Sequence, residues 1–148
     1  RIGTVFQDFK LLLNRTVFEN VALSLEVLKK SEAEIEKEVS EALEKVGILE
    51  KADYFPAQLS GGEVQRTAIA RAIVSKPEVL LADEPTGDLD PKTAEQVVEL
   101  LEAINKDGTT VLMATHNATI VNKFKKRVVH LKKGKIEKDQ KEGKYEPD

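Results

Sequence analysis

The apolar residues of this chain switch between helical spacing and short unbroken runs, and each switch marks the edge of an element. Ile2 to Phe6 reads as a short strand that stops at Gln7-Asp8. Phe18, Val21, Ala22, Leu25 and Leu28 then follow at helical spacing behind Thr16-Val17-Phe18-Glu19. That tetrad is a capping box, in which each polar side chain satisfies the other residue's backbone N–H. Ser31-Glu32-Ala33-Glu34 opens a second helix with Ile35, Val39, Ala42, Leu43 and Val46 inward, and Gly47 is placed to stop it. Ser60 and Glu63 form a third box ahead of Ala68, Ile69, Ala72 and Ile73. This helix is expected to reach Ser75 and break at Lys76-Pro77.

Beyond that break the pattern changes to strands. Val79 to Ala82 is too short for a helix and lies between a proline and two carboxylates, which suits a buried parallel strand. Asp90-Pro91 supplies an N-cap and a proline at the first helical position, with Val97, Val98, Leu100, Leu101 and Ile104 following. Asp107-Gly108 turns into a second buried strand, Thr109 to Thr115. A short helix after Asn117, a strand near Val128 to Leu131, a Lys133-Gly134 turn and a strand at Ile136 complete the pattern. The tail from Lys138 is polar enough to fray. Alternating strand and helix predict a doubly wound α/β fold, a mainly parallel sheet flanked by helices. An inserted all-helical lobe is expected over residues 8–75, core strands and helices over residues 76–138, and a polar tail over residues 139–148.

Composition excludes several classes. A chain of 148 residues suits one domain with a sizeable core, and 41% hydrophobic with 33% charged residues reads as soluble and globular. The net charge of -3 gives no global pull toward nucleic acid or an acidic membrane. The absence of cysteine excludes disulfides, thiolate metal sites and cysteine nucleophiles. No apolar run approaches a membrane span, and the first residues do not form a signal peptide. A start at Arg1, inside a strand-like run, reads as a fragment of a longer chain.

Asp83 and Glu84 close a strand at its carboxyl end, where α/β folds place their ligands. Asp83 offers the hard oxygen that Mg²⁺ prefers, and Glu84, one residue on, points the other way and can polarise an attacking water. Adjacent acids at a strand end also simply face solvent, so the pair alone leaves both readings open. Ser60, Gly61 and Gly62 expose backbone N–H groups at a helix start, where the dipole favours anions and glycine lets a phosphate approach; an ordinary N-cap is the alternative. Gln7 and His116 each follow a strand, and taken singly each reads equally as a packing or surface residue. His130 matches no motif and is read as structural. The basic residues from Lys123 to Lys135 read as a solvated face. They lack an aromatic stacking platform, which argues against nucleic acid as a partner.

Leu59-Ser60-Gly61-Gly62-Glu63 and Val79-Leu80-Leu81-Ala82-Asp83-Glu84-Pro85 together resemble the signature motif and Walker B strand of ABC-type ATPases. Gln65-Arg66-Thr67-Ala68-Ile69-Ala70-Arg71-Ala72 continues that pattern, with Val64 where glutamine is common, and Pro85 to Asp90 resembles the D-loop. Phe6 to Leu12, Arg15 to Val21 and Met113 to Lys135, with Asn117 after the histidine, are similar to the FtsE group of cell-division ATPases. Lipoprotein-release and macrolide-export ATPases share Asp83 to Asp90 and remain alternatives.

The resemblance implies a P-loop NTPase-like fold, ATP and Mg²⁺ as ligands, and hydrolysis of ATP to ADP and phosphate. It implies Glu84 as general base, Asp83 on Mg²⁺, Gln7 on Mg²⁺ or the attacking water, and His116 at the γ-phosphate. Ser60, Gly61 and Gly62, backed by Glu63, would meet the γ-phosphate held by the opposite protomer of a head-to-tail homodimer, and Asp90 would link the protomers. An FtsX-like integral membrane subunit is the implied partner. That places the protein in the cytoplasm, peripheral on the inner face of the plasma membrane, in cell division and cell-wall remodelling. The phosphate-cradling G-x-x-x-x-G-K-[ST] occurs nowhere in the sequence. The N-terminal part of the fold is therefore expected to be missing, leaving a fragment inactive alone or a non-catalytic binding module. The apolar connection Asp8 to Leu13 either docks the membrane partner or packs the lobe onto the core.

Overall fold

The computed structural model describes residues 1–146. They form two compact units, Arg1–Ala114 and the segment from Thr115 onward. In the first, β1 (Ile2–Val5), β2 (Val79–Asp83) and β3 (Thr110–Ala114) form a parallel sheet in the order β1-β2-β3. Helices α1 (Val17–Val27), α2 (Glu32–Lys45) and α3 (Gly61–Ile73) lie between β1 and β2 in sequence, and α4 (Pro91–Lys106) lies between β2 and β3.

Local signals decide most of these boundaries. All three capping boxes form, Thr16 with Glu19, Ser31 with Glu34 and Ser60 with Glu63. Gly47 follows α2 in the left-handed region at φ 76°, where a Cβ would be strained. The end of α3 differs from expectation: it stops at Ile73, and Lys76 turns left-handed at φ 50° ahead of Pro77.

Helix α3 is the hub of the first unit. It packs against β1 and touches α1, α2 and α4. Gly3 permits that approach, since a Cβ there would lie 2.3 Å from the Ala72 carbonyl oxygen. One continuous apolar core runs from Leu25 and Leu43 in the lobe through Ile69 to Val5 and Leu80 in the sheet. The opposite sheet face is largely uncovered, with Ile2 67% and Leu112 63% exposed. The short apolar runs predicted burial, yet β3 alternates between half-buried and exposed because helices cover one face only.

The apolar connection after β1 divides in two. Phe9 and Leu11 pack on the core, whereas Leu12 is 42% and Leu13 75% exposed.

In the second unit, α5 (Ala118–Phe124) is capped by Asn117, whose side-chain oxygen accepts from the Ile120 N–H at 3.1 Å. Strands β4 (Val128–Lys132) and β5 (Lys135–Gln140) form an antiparallel hairpin. Lys133 and Gly134 turn it with consecutive positive φ of 49° and 75°, as a two-residue hairpin loop demands. Polarity predicts fraying from Lys138, but β5 continues to Gln140 and Arg127 grips Asp139 through two hydrogen bonds of 2.9 and 2.7 Å. Farther on, Asn122 accepts from the Tyr145 N–H at 2.8 Å and donates to its carbonyl at 3.0 Å. Polar pairing rather than burial holds this segment. His130 places Nδ1 at 2.7 Å from Glu137, and its ring centroid lies 5.8 Å from that of Tyr145.

Candidate functional site

The parallel register sets Val5 beside Ala82 and Ala82 beside Met113, so the carboxyl ends of β1 and β2 lie level. Gln7 leaves one and Asp83-Glu84 leave the other. Adjacent strands are about 4.8 Å apart, so the loops that carry these residues start side by side. Asp83 is exposed and continues the alternation of β2 onto the uncovered face. Glu84 is half-buried; its N–H donates to the Ala114 carbonyl at 2.8 Å, and its φ of 44° turns the chain out of the strand. A left-handed glutamate is uncommon, and such conformations gather at functional sites.

The loop beyond Glu84 is compact. Gly87 N–H donates to the Glu84 carbonyl at 3.0 Å, and Pro85 and Thr86 are buried. From α3, the fully buried Gln65 donates its side-chain amide to the Pro85 carbonyl, while its Oε1 has no hydrogen-bond partner. At the loop's end Asp90 caps α4, accepting from the Thr93 N–H at 3.1 Å and from the Thr93 hydroxyl. That hydroxyl, then the backbone N–H, holds the Asp90 carboxyl below the usual carboxylate range.

At the start of α3, Ser60 Oγ accepts from the Glu63 N–H at 3.3 Å, and the Glu63 carboxylate accepts from the Ser60 N–H at 2.9 Å. Ser60 and Gly61 are exposed on a polar cleft of about 380 Å³ that Gly62, Asp88, Asp90 and Thr93 also line. The signature turn and Asp90 therefore share one cleft. Gly62 has a packing reason as well, because a Cβ there would lie 2.7 Å from Thr93 Cγ2.

Gln7 is exposed in a turn closed by the Phe9 N–H on the Phe6 carbonyl at 3.1 Å. Phe9 and Lys10 are both left-handed, at φ 59° and 51°. Arg71 of α3 donates to their carbonyls, at 2.6 Å each. Burial pushes the Arg71 guanidinium below its usual value. Buried Asn20 holds the next segment, accepting from the Leu12 N–H at 2.8 Å and donating to the carbonyls of Leu12, Arg15 and Thr16.

Comparison with known proteins decides the family. The family model described as ABC transporter matches residues 1–87. The chain belongs to the ABC transporter family.

Its relatives include the cell division ATP-binding protein FtsE of Bacillus subtilis, 56% identical over 145 residues, or 98% of this chain and 64% of that protein. FtsE of Mycobacterium tuberculosis is 55% identical over 144 residues, covering 97% of this chain and 63% of that protein. A solved dimeric ATP-binding cassette, in a post-hydrolysis state bound to ADP and Pi, superposes with a TM-score of 0.81 at 39% identity, covering 98% of this chain and 64% of that one. The chain thus spans just under two thirds of the length of these relatives. It has the ABC ATPase fold, a parallel core sheet with helices and a helical subdomain.

The donor set of this ABC transporter chain fits Mg²⁺ bound through phosphate. Among the described residues no group of three or more His, Cys, Asp or Glu could hold a metal alone. Mg²⁺ commonly takes only one or two protein carboxylates and fills its octahedron with phosphate oxygens and water. Exposed Asp83, at the carboxyl end of β2, offers one such carboxylate.

His116 belongs to the second unit, exposed immediately before the Asn117 cap. Sequence reasoning missed Gln65, Arg71 and Asn20 as supports of the site. Their signal was a polar residue on a helix whose neighbours pack inward, as with Gln65 among Ala68, Ile69 and Ala72.

Proposed function

We propose that the complete protein is an ATP-binding and ATP-hydrolysing subunit of an FtsEX-like complex, working in cell division at the inner face of the plasma membrane. The level carboxyl ends of β1 and β2 support this reading, since Gln7 follows one and Asp83 with Glu84 closes the other. Glu84 is the general base: water attacks the γ-phosphorus, its proton passes to the Glu84 carboxylate, and the bond to the ADP oxygen breaks. Asp83 and Gln7 would hold Mg²⁺, whose charge would offset that of the phosphate oxygens. His116 contacts the γ-phosphate. The turn Ser60-Gly61-Gly62 serves the nucleotide of a facing second copy, and Asp90 sits at that junction. The identity to FtsE and the dimeric cassette support a homodimer with a membrane subunit of FtsX type.

The test uses the full-length protein. Glu84→Gln is expected to retain ATP binding, lose about 10²- to 10⁴-fold in turnover, and accumulate as an ATP-bound dimer. Parental turnover in that variant removes Glu84 as the base. The 148-residue chain alone, which lacks G-x-x-x-x-G-K-[ST], is expected to hydrolyse no ATP.

The exposed pair Leu12 and Leu13 is the docking face for the membrane subunit in this reading, with Phe9 serving the core. Leu12→Glu with Leu13→Glu should abolish co-purification of that subunit and spare ATP binding. Undiminished association overturns the docking assignment.

A further inference from the structure

Arg71 lies on the same helix as the signature turn, yet its side chain serves a loop more than sixty positions away in sequence. Its two donors reach successive carbonyls, those of Phe9 and Lys10. Both residues carry a Cβ and both are left-handed, a conformation that local sterics disfavour and that persists only when its surroundings impose it. Consecutive left-handed residues tip their carbonyls out of the regular backbone pattern, and the planar guanidinium fork bridges the pair. A lysine ammonium has three donors on a flexible stem but lacks this flat, preorganised fork, so it holds such a pair less rigidly.

The turn held in this way contains Gln7. Phe6 and Phe9 close it through one backbone hydrogen bond, with Gln7 and Asp8 between them. One side of the turn is rooted in β1, whose partner in the sheet is β2. The other side runs from Phe9 to Leu12, where Asn20 takes over. Two anchors therefore fix the loop, and of these Arg71 is the one nearer Gln7.

We propose that Arg71 is a positioning residue: it fixes the Phe9–Lys10 backbone, through it the direction of Gln7, and it transmits any shift of α3 relative to β1 to that side chain. The inference rests on the ATPase reading above and adds to it a mechanical link from the signature helix to Gln7 within one protomer. Coupling of this kind is reciprocal. Whatever moves the loop also loads α3.

The test is a cycle in the full-length ATPase with Gln7→Ala, Arg71→Lys, Arg71→Met and the double variants. Arg71→Lys retains the cation and the stem, so it guards against an Arg71→Met variant that fails to fold. Each Arg71 variant is expected to lower kcat by roughly 10- to 100-fold, as a displaced group near the reacting centre does, with the KM for ATP unchanged. In the Gln7→Ala background the same substitutions should cost nothing further, because Arg71 acts only through Gln7. Amide exchange at Lys10 and Leu12 should rise in Arg71→Lys while Tm holds. Parental kcat in Arg71→Lys overturns the proposal, and so do losses that multiply in the double variants, which mark a general structural role. If the parent shows no Glu84-dependent hydrolysis, the ATPase reading itself fails. If that hydrolysis is present and Gln7→Ala is silent, only this link fails.

Discussion

The loops that leave β1 and β2 begin level with one another and are held by contrasting means. After β1 the backbone is exposed and twice left-handed, and it takes its shape from two side chains outside it, Asn20 and Arg71. After β2 the chain folds on itself, buries Pro85 and Thr86, and ends in its own helix cap at Asp90. From outside the loop, Gln65 donates to the Pro85 carbonyl and the Ala114 carbonyl accepts from the Glu84 N–H at 2.8 Å. A loop shaped by others follows their movements, whereas a self-closed loop keeps its geometry. Under the proposed function, the contrast suits Glu84 as a base that stays fixed and Gln7 as a sensing group that moves.

Truncating the internal anchors separates the two designs most sharply. Gln65→Ala is expected to cost about 2–4 kcal/mol, because it opens a cavity beside the buried Pro85 carbonyl and removes its donor. Gln65→Leu refills that volume, removes the partnerless Oε1 and should cost less. Asn20→Ala should cost about 1–3 kcal/mol, with increased amide exchange confined to Leu12 through Thr16. Urea unfolding and hydrogen exchange give both quantities. A small loss for Gln65→Ala would mean that the β2 loop needs no anchor at all.

Gly62 offers a finer distinction. Gly62→Ala should cost about 1–2 kcal/mol through its clash with Thr93 Cγ2. Thr93→Ser removes that methyl and keeps the hydroxyl that Asp90 accepts, so the double variant should recover stability. If stability returns and nucleotide affinity does not, Gly62 also serves close phosphate approach.

The smallest effect is electrostatic. Asp8 and Asp90 both titrate below the usual range, Asp8 chiefly because Lys10 pairs with it at 2.6 Å, and Asp90 chiefly because the Thr93 hydroxyl donates to it. A carboxyl depressed by folding contributes stability that is present above its unfolded pKa and lost as pH falls through the folded one. Salt screens a charge pair more than a neutral hydrogen bond. Carboxyl NMR titrations in rising salt should move Asp8 back toward its ordinary value and leave Asp90 nearly still. Equal movement of both would erase this contrast between the loops.

The sequence made the caps and strands legible because their rules are local. Thr16, Ser31, Ser60 and Asp90 each find their partner three residues on, and the short apolar runs mark β2 and β3. The strand-end carboxylates and the Ser60 turn became candidates through their resemblance to the Walker B strand and the signature motif. What stayed hidden was long-range or backbone-level. Arg71 meets Phe9 and Gln65 meets Pro85 across folds of the chain, and no glycine announces the left-handed Phe9, Lys10 or Glu84. Val79-Leu80-Leu81-Ala82 is apolar at every position, so its pattern carries no record of which face the helices leave uncovered.

The placement of the whole helical lobe between β1 and β2 also sets a timetable. Ile2 pairs with Val79, a non-local contact, whereas β4 meets β5 across a two-residue turn. Synthesis runs at roughly 5–20 residues per second, so β1 waits several seconds for its neighbour while α1, α2 and α3 emerge. Hairpins of this size close in about 1–10 μs. Through that interval Ile2 and Val5 wait for β2, and α3, which packs on β1 at Gly3, is itself complete only a few residues before β2 begins.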